Sequence, residues 1–422
     1  MSRLIPRRRR RLAAGVVAVS FLAACGGGGS AGGGDESGPI RIGVLSDLGS
    51  PAGESIVNAA ELAAERINSD GGVHGRDFEL VVRDTELNPQ EAVAAYQRLG
   101  QSDQVAAAVG IRSSGSSFAI MDHLARVQVP FLNTGSATTE LADMVSENYD
   151  DYKYWFRFMH NSAEIPESIM SFVSDHLQPT YGVERIAIFS EDATWTEEVR
   201  QIMRDHIEQD PNLELVAEEL FDVQTTNFTP IFQRLLAADP DFIVEVSAHV
   251  NSAGYTKQWA ALQPAPMGGV AVSQISSTFY DETDGAAAWL FGQHYGFPEV
   301  SVTDASADFY ESYLAEFGEA PNYTGTYTYE AMMALADSFE RMEPGEIGDA
   351  DALIASLEDL DMTGVLGQWQ FQEDHHPVFE GNREQSLMLV QWLPDNQRQV
   401  IWPEEVATGE YQPPTWWTGW GQ

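Results

Sequence analysis

The stretch IRIGVLSDLGSPAGESIVNAAELAAERINSDGGVHGRDFELVVRD, Ile40 to Asp84, decides the fold. Ile40, Ile42 and Val44 alternate and share one face of a strand over IRIGVL, Ile40 to Leu45. In AGESIVNAAELAAERIN, Ala52 to Asn68, the residues Ile56, Ala60, Ala63 and Ile67 recur at helical spacing. FELVVRD, Phe78 to Asp84, returns to a β pattern. A strand, a helix and a second strand in this order make a parallel unit with the helix laid over the sheet.

The pattern continues outward from there. Asn88-Pro89-Gln90-Glu91 has the chemistry of a helix start, with Asn as the cap, Pro at the first helical position and Glu at the third. VAAAVG (Val105 to Gly110) and VPFLNTG (Val129 to Gly135) are two further strands with a helix between them. After YWFRFM (Tyr154 to Met159) the alternation begins again. RIAIFSED (Arg185 to Asp192), LVAEELF (Leu215 to Phe221), DFIVEVSA (Asp241 to Ala248) and GGVAVSQ (Gly268 to Gln274) are its strands. Thr194-Trp195-Thr196-Glu197 is predicted to open a helix as a capping box. The expected fold class is therefore α/β, with two similar doubly wound parallel-sheet lobes.

Upstream, Arg3 and the run Arg7 to Arg11 precede the 13-residue apolar stretch LAAGVVAVSFLAA, Leu12 to Ala24. A bilayer span needs about 20 apolar residues, so this length suits the core of a signal peptide. It ends in Leu22-Ala23-Ala24-Cys25, which looks like a bacterial lipobox with Cys25 as the lipid-attachment residue and residues 1–24 as the leader. Cys25 is the chain's one cysteine, so an acylated Cys25 leaves no thiol for disulfides, metal sites or nucleophilic catalysis. Residues 25–38, which include GGGGSAGGGDESG, form a flexible tether between a lipid-anchored end and the folded part. The formal charge is −41, and −47 without the six leader arginines. Such a charge argues against nucleic acid and against anionic membrane surfaces as partners.

At this point the residues resemble a known family. Ile40 to Leu99, then AAAVGIRSSGSS, VPFLNTGSATTEL, FYESYLAEFGEAPNYTGTYTYEAMMALADSF (Phe309 to Phe339) and LMLVQWLPDNQRQVIWPEEVATGEYQPP (Leu387 to Pro414) are similar, in order, to the leucine/isoleucine/valine-binding proteins of ABC importers. The resemblance implies a type I periplasmic binding protein whose two lobes are joined by a three-crossover hinge. It places the crossovers near Phe156 to Phe158, Phe297 to Ser301 and Trp369 to Gln372. Lobe one would then be residues 39–157 plus 300–367, and lobe two 158–299 plus 368–422. It implies hinge closure on a small ligand and delivery to ABC permease and ATPase subunits.

The same resemblance assigns candidate ligand contacts. The family's carboxylate-binding serine falls on Ser114, in a hydroxyl-rich loop at a helix start that also suits an anion on physical grounds. Gly135 and Ala137 occupy the second contact loop, where Ala137 lacks the usual threonine hydroxyl. Family tyrosines are replaced by Ala52, Trp195 and His249, and Tyr323 is a further candidate. The Ala52 replacement opens space, which points to a ligand bulkier than valine that carries a carboxylate or amide. Trp195 has a packing alternative at a helix start, and His249 one as a loop hydrogen-bonder. Glu245, inside the apolar FIVEVSA, needs a partner, and a neighbouring Arg or Lys is favoured over a ligand ammonium. Arg157 is expected to steady the first crossover, with a contact to a ligand carboxylate as the alternative.

Enzyme readings find little support. There is no Walker A run, no GxGxxG after a strand, no HExxH and no GxSxG elbow. His375-His376, beside Glu373 and Asp374, lacks the spacing that presents two imidazoles on one helical face, and a solvated hairpin turn is expected there. No catalytic residue, metal or cofactor is assigned. A sensory protein of the same fold, partnered with a membrane receptor, is the alternative to transport.

Overall fold

The computed structural model describes residues 38–378 and 387–420. The leader, Cys25 and the Gly-rich tether lie outside the described residues. The described chain builds two parallel sheets of matching topology. The first holds β1 (Ile40–Ser46), β2 (Phe78–Asp84), β3 (Ala107–Gly110), β4 (Phe131–Asn133) and β5 (Trp155–Arg157), in the order β2-β1-β3-β4-β5. The second holds β6 (Arg185–Glu191), β7 (Glu214–Phe221), β8 (Phe242–Ser247), β9 (Met267–Ala271) and β10 (Phe291–Tyr295), in the equivalent order β7-β6-β8-β9-β10. After a short hairpin of β11 (Met362–Gly364) and β12 (Gly367–Trp369), β13 (Leu387–Leu393) and β14 (Gln397–Trp402) join the second sheet beside β10. Those two edge strands run antiparallel, an addition to the all-parallel expectation.

The inner strands are covered by helices on both faces, so their residues are buried almost without interruption. Local caps set the helix starts. Ser50 accepts the N–H of Gly53 at 3.0 Å ahead of the helix Pro51–Ser69, and Asn88 accepts from Gln90 and Glu91 as its side chain predicted. The helix Thr194–Gln209 begins one residue earlier than its capping box implied. Its cap is Ala193, whose N–H donates to Thr196 Oγ1 at 3.3 Å.

The chain leaves the first sheet after β5 and builds the second sheet through β10. It then packs the helices Asp304–Phe317 and Tyr323–Arg341 back against the helix Pro51–Ser69. It crosses again through the β11–β12 hairpin to β13. The two lobes are thus tied by three passages of chain. Two passages pack on each other: Phe158 stacks on Trp369 at 4.8 Å, and Phe371 meets both Phe156 and Phe158 at 5.2 Å.

The solvated turn expected at His375-His376 is corrected here. The turn exists, closed by His375 N–H donating to Gln372 O, but both histidines are buried. His375 stacks on Phe156 at 3.9 Å and pairs with Glu358 at 3.0 Å, while His376 pairs with Glu164 at 2.8 Å. Two adjacent polar residues at a tight turn read as exposed in one dimension. The crossing passages fold over them, and the two carboxylates make their burial possible.

Candidate functional site

In sheets of this order the strand sequence reverses between the first and third strands, and ligands collect outside the carboxyl ends at that switch point. The two switch points here lie between β1 and β3 and between β6 and β8. One small cavity, partly open to solvent, receives residues from both. The first lobe contributes Arg112, Ser114, Gly135, Ala137 and Tyr323. The strand ends of the second sheet and the segments that follow them contribute Trp195, Ala248, His249, Val270, Val272 and Tyr295, with Met159 and Ile165 near the first crossover. All six residues singled out from the sequence, Ser114, Gly135, Ala137, Trp195, His249 and Tyr323, therefore line one space. Ala52 does not line it: it is buried, with its carbonyl accepting from Thr324 Oγ1 at 2.6 Å.

Each switch point carries an acid–base pair. At the end of β1, Asp47 takes Arg112 Nε at 3.0 Å on both carboxylate oxygens, and its Oδ2 also accepts from Ser50 Oγ at 2.6 Å. At the end of β6, Glu191 accepts from His249 N at 2.9 Å, His249 Nδ1 at 2.7 Å and Trp195 Nε1 at 2.9 Å. Burial opposes the charge on Glu191. The hydrogen bonds from His249 and Trp195 outweigh that and hold its carboxyl below the usual range.

The first-lobe loops are shaped by small residues and backbone contacts. Ser113, not Ser114, caps the helix Ser114–Met121, so Ser114 stands at the first helical position beside the cavity. Its Oγ accepts from Thr138 N at 3.4 Å. A side chain at Gly135 would come within 2.7 Å of Arg112 Cα, so only glycine lets these two loops approach so closely. Arg157 is wholly buried and donates to Ser136 O at 2.6 Å and Thr138 O at 2.5 Å. Burial lowers its pKa to about 10. It buttresses the second loop from behind and does not face the cavity.

Contacts also run between the lobes. Arg112 Nη1 donates to Ala248 O at 3.3 Å, Thr139 Oγ1 donates to Glu198 Oε1 at 2.6 Å, and the rings of Tyr295 and Tyr323 lie 5.3 Å apart. The lobes are closed on each other. Glu245 lies outside the cavity lining. Its partners are Tyr255 OH at 2.9 Å and Gln274 Nε2 at 2.5 Å, neither the expected Arg nor Lys. Full burial with only neutral partners pushes its carboxyl up to about 7.

Sequence reasoning passed over Arg112, Asp47, Glu191 and Tyr295. Arg112 and Asp47 stood in quoted loops, but their pairing spans 65 positions. Among the described residues no group of three or more His, Cys, Asp or Glu could hold a metal ion, and no helix is long and apolar enough to cross a membrane.

Comparison with known proteins agrees with this architecture. A family model described as periplasmic binding protein matches residues 39–397. The Leu/Ile/Val-binding protein homolog 7 of Brucella suis is 22% identical over 397 residues, which cover 90% of this chain and 95% of that protein. Among solved structures, the branched-chain amino acid transporter substrate-binding protein LivJ of Streptococcus pneumoniae, in complex with isoleucine, superposes with a TM-score of 0.72 at 20% identity. That match covers 86% of this chain and all of LivJ. A solute-binding protein of an ABC transporter from R. palustris, in complex with benzoate, gives 0.72 at 16% identity, covering 89% of this chain and 97% of that one. The chain belongs to the periplasmic binding protein family. It is a solute-binding protein and not an enzyme.

Proposed function

We propose that this protein is an extracytoplasmic lipoprotein, anchored through Cys25, that captures a small ligand by hinge closure and delivers it to the permease and ATPase subunits of an ABC importer. The ligand class is an amino acid, amide or related carboxylate; with Ala52 outside the lining, no enlargement beyond valine is inferred from it. One observation carries the reading: a single cavity receives side chains from the switch points of both sheets, so one small molecule can touch both lobes and favour the closed form. Two structurally similar proteins, one in complex with isoleucine and one with benzoate, support a carboxylate-bearing ligand.

Ligand-driven closure is tested by small-angle scattering on protein freed of co-purified molecules, alongside mass spectrometry of what is released. A smaller radius of gyration on adding back the released molecule is expected. An unchanged profile at saturation would remove hinge closure from the reading. For the anchor, Cys25→Ser is expected to shed protein from membranes or leave the precursor unprocessed, and normal membrane retention would remove the lipid from the reading.

A further inference from the structure

Given that a small molecule fills this cavity, as proposed above, we infer that it is an apolar monocarboxylate without an ammonium group, held by Arg112 and the Ser114 helix start. Around the cavity an open cationic donor is present, and no anionic acceptor lines it. Donors are in supply. Arg112 is over nine-tenths buried and spends Nε on Asp47 and Nη1 on Ala248 O, yet Nη2 makes no hydrogen bond among the described residues. A guanidinium with an open amino group beside a helix start is matched to a carboxylate. Ser114 lies two residues on, and its hydroxyl proton is not committed to its bond from Thr138 N.

Anionic acceptors for an ammonium are lacking. No carboxylate lines the cavity. Asp47 and Glu191, which hold the lining residues Arg112 and His249, are filled by them and by Ser50 and Trp195. Five backbone carbonyls of the flanking loops already accept a hydrogen bond, which leaves neutral acceptors such as the Tyr295 hydroxyl. Gly135 O accepts from Tyr323 OH, Ser136 O and Thr138 O from Arg157, Ala137 O from Ser162 N, and Ala248 O from Arg112. Ala137 has no hydroxyl to add. An ammonium in this space would sit near a guanidinium with no anionic partner, which is the costly arrangement for a buried charge. The rest of the lining, Met159, Ile165, Val270, Val272 and the face of Trp195, suits a hydrocarbon body.

The test is calorimetric titration of ligand-free protein with molecules differing only at the α-carbon: leucine against 4-methylpentanoate, and phenylalanine against 3-phenylpropionate, with 3-phenylpropanamide as the uncharged control. At least one acid should bind about a hundredfold more tightly than its amino acid, and 3-phenylpropionate about tenfold more tightly than its amide. Arg112→Gln should remove the preference for acid over amide. If that variant is poorly folded, Asp47→Asn with Arg112→Gln keeps the pair neutral and should do the same. Amino acids binding as tightly as the acids would overturn the inference and leave ligand capture standing. An acid preference that survives in the folded double variant would overturn the role of Arg112. No binding by any of the five, with no molecule released from purified protein, would overturn both the inference and the capture reading.

Discussion

The two switch points are built to one plan and filled differently. In each sheet an acid at the end of the first strand meets a basic residue two positions past the third: Asp47 with Arg112, and Glu191 with His249. Arginine keeps its charge at any working pH, and its long side chain reaches on to Ala248 in the other lobe. Histidine is short, stops at Glu191, and shares that carboxylate with Trp195. The first switch point therefore brings a guanidinium with an open amino group and the closing contact. The second brings flat aromatic surface held rigidly by its carboxylate. One topology thus supplies polar anchoring on one wall and shape on the other.

The sharpest way to break this comparison is to neutralise each acid. Asp47→Asn strands a buried guanidinium that cannot shed its proton, and should cost about 3 kcal/mol. Glu191→Gln keeps an amide oxygen that can accept from Trp195 and His249, so about 1 kcal/mol is expected. Urea denaturation of both variants decides, and equal losses would show that the two pairs are energetically alike.

Nearly as large is a pH effect that sets Glu191 against the other buried acid of its sheet. The Glu245 carboxyl is raised from 4.5 to about 7, so the folded state holds its proton more tightly than the unfolded chain. Stability from this group is present below pH 4.5 and falls as pH rises to about 7, by about 3 kcal/mol over that window. Glu191 has the opposite sign, since its lowered pKa makes it lose stability as pH falls through the folded value. Glu245→Gln should flatten the decline in a denaturation series from pH 4.5 to 7. An unchanged slope would mean that another group titrates there.

A smaller effect probes the first wall alone. Ser114→Ala removes a hydroxyl bond to a charged ligand group, worth about 1.5–3 kcal/mol, or roughly ten- to a hundredfold in affinity. Calorimetry with the released ligand measures it, and unchanged affinity in a folded variant would take Ser114 out of the site. The smallest effect tests closure without ligand. Glu198→Ala deletes the bonds from Thr139 and should weaken binding roughly fivefold, about 1 kcal/mol, while enlarging the empty protein in scattering. An unaltered scattering profile would leave the closing contact to Arg112 and the tyrosines.

Much of this molecule was legible in its sequence because the signals are local. Alternation in Ile40 to Leu45, helical spacing from Ile56 to Ile67 and the Asn88 cap each lie within a turn or two of chain, and each element formed where its pattern stood. The strand–helix alternation, restarted once, determined an α/β fold with two sheets, and ordered resemblance brought Ser114, Gly135, Ala137, Trp195, His249 and Tyr323 to one cavity.

The tertiary structure alone decided which charges meet. The pairs Asp47–Arg112 and Glu191–His249 span 65 and 58 positions, and no periodicity links residues joined by the crossing of parallel strands. It also decided that His375 and His376 are buried, because that depends on how the crossover passages fold over the turn. Ala52 was read from the sequence as a missing pocket wall, yet it lies under the helix start of Tyr323, which itself lines the cavity. Local patterns determine elements through backbone geometry and burial periodicity. The chemistry of a cavity depends on which side chains three passages of chain bring within a few ångströms, and only packing in three dimensions sets that.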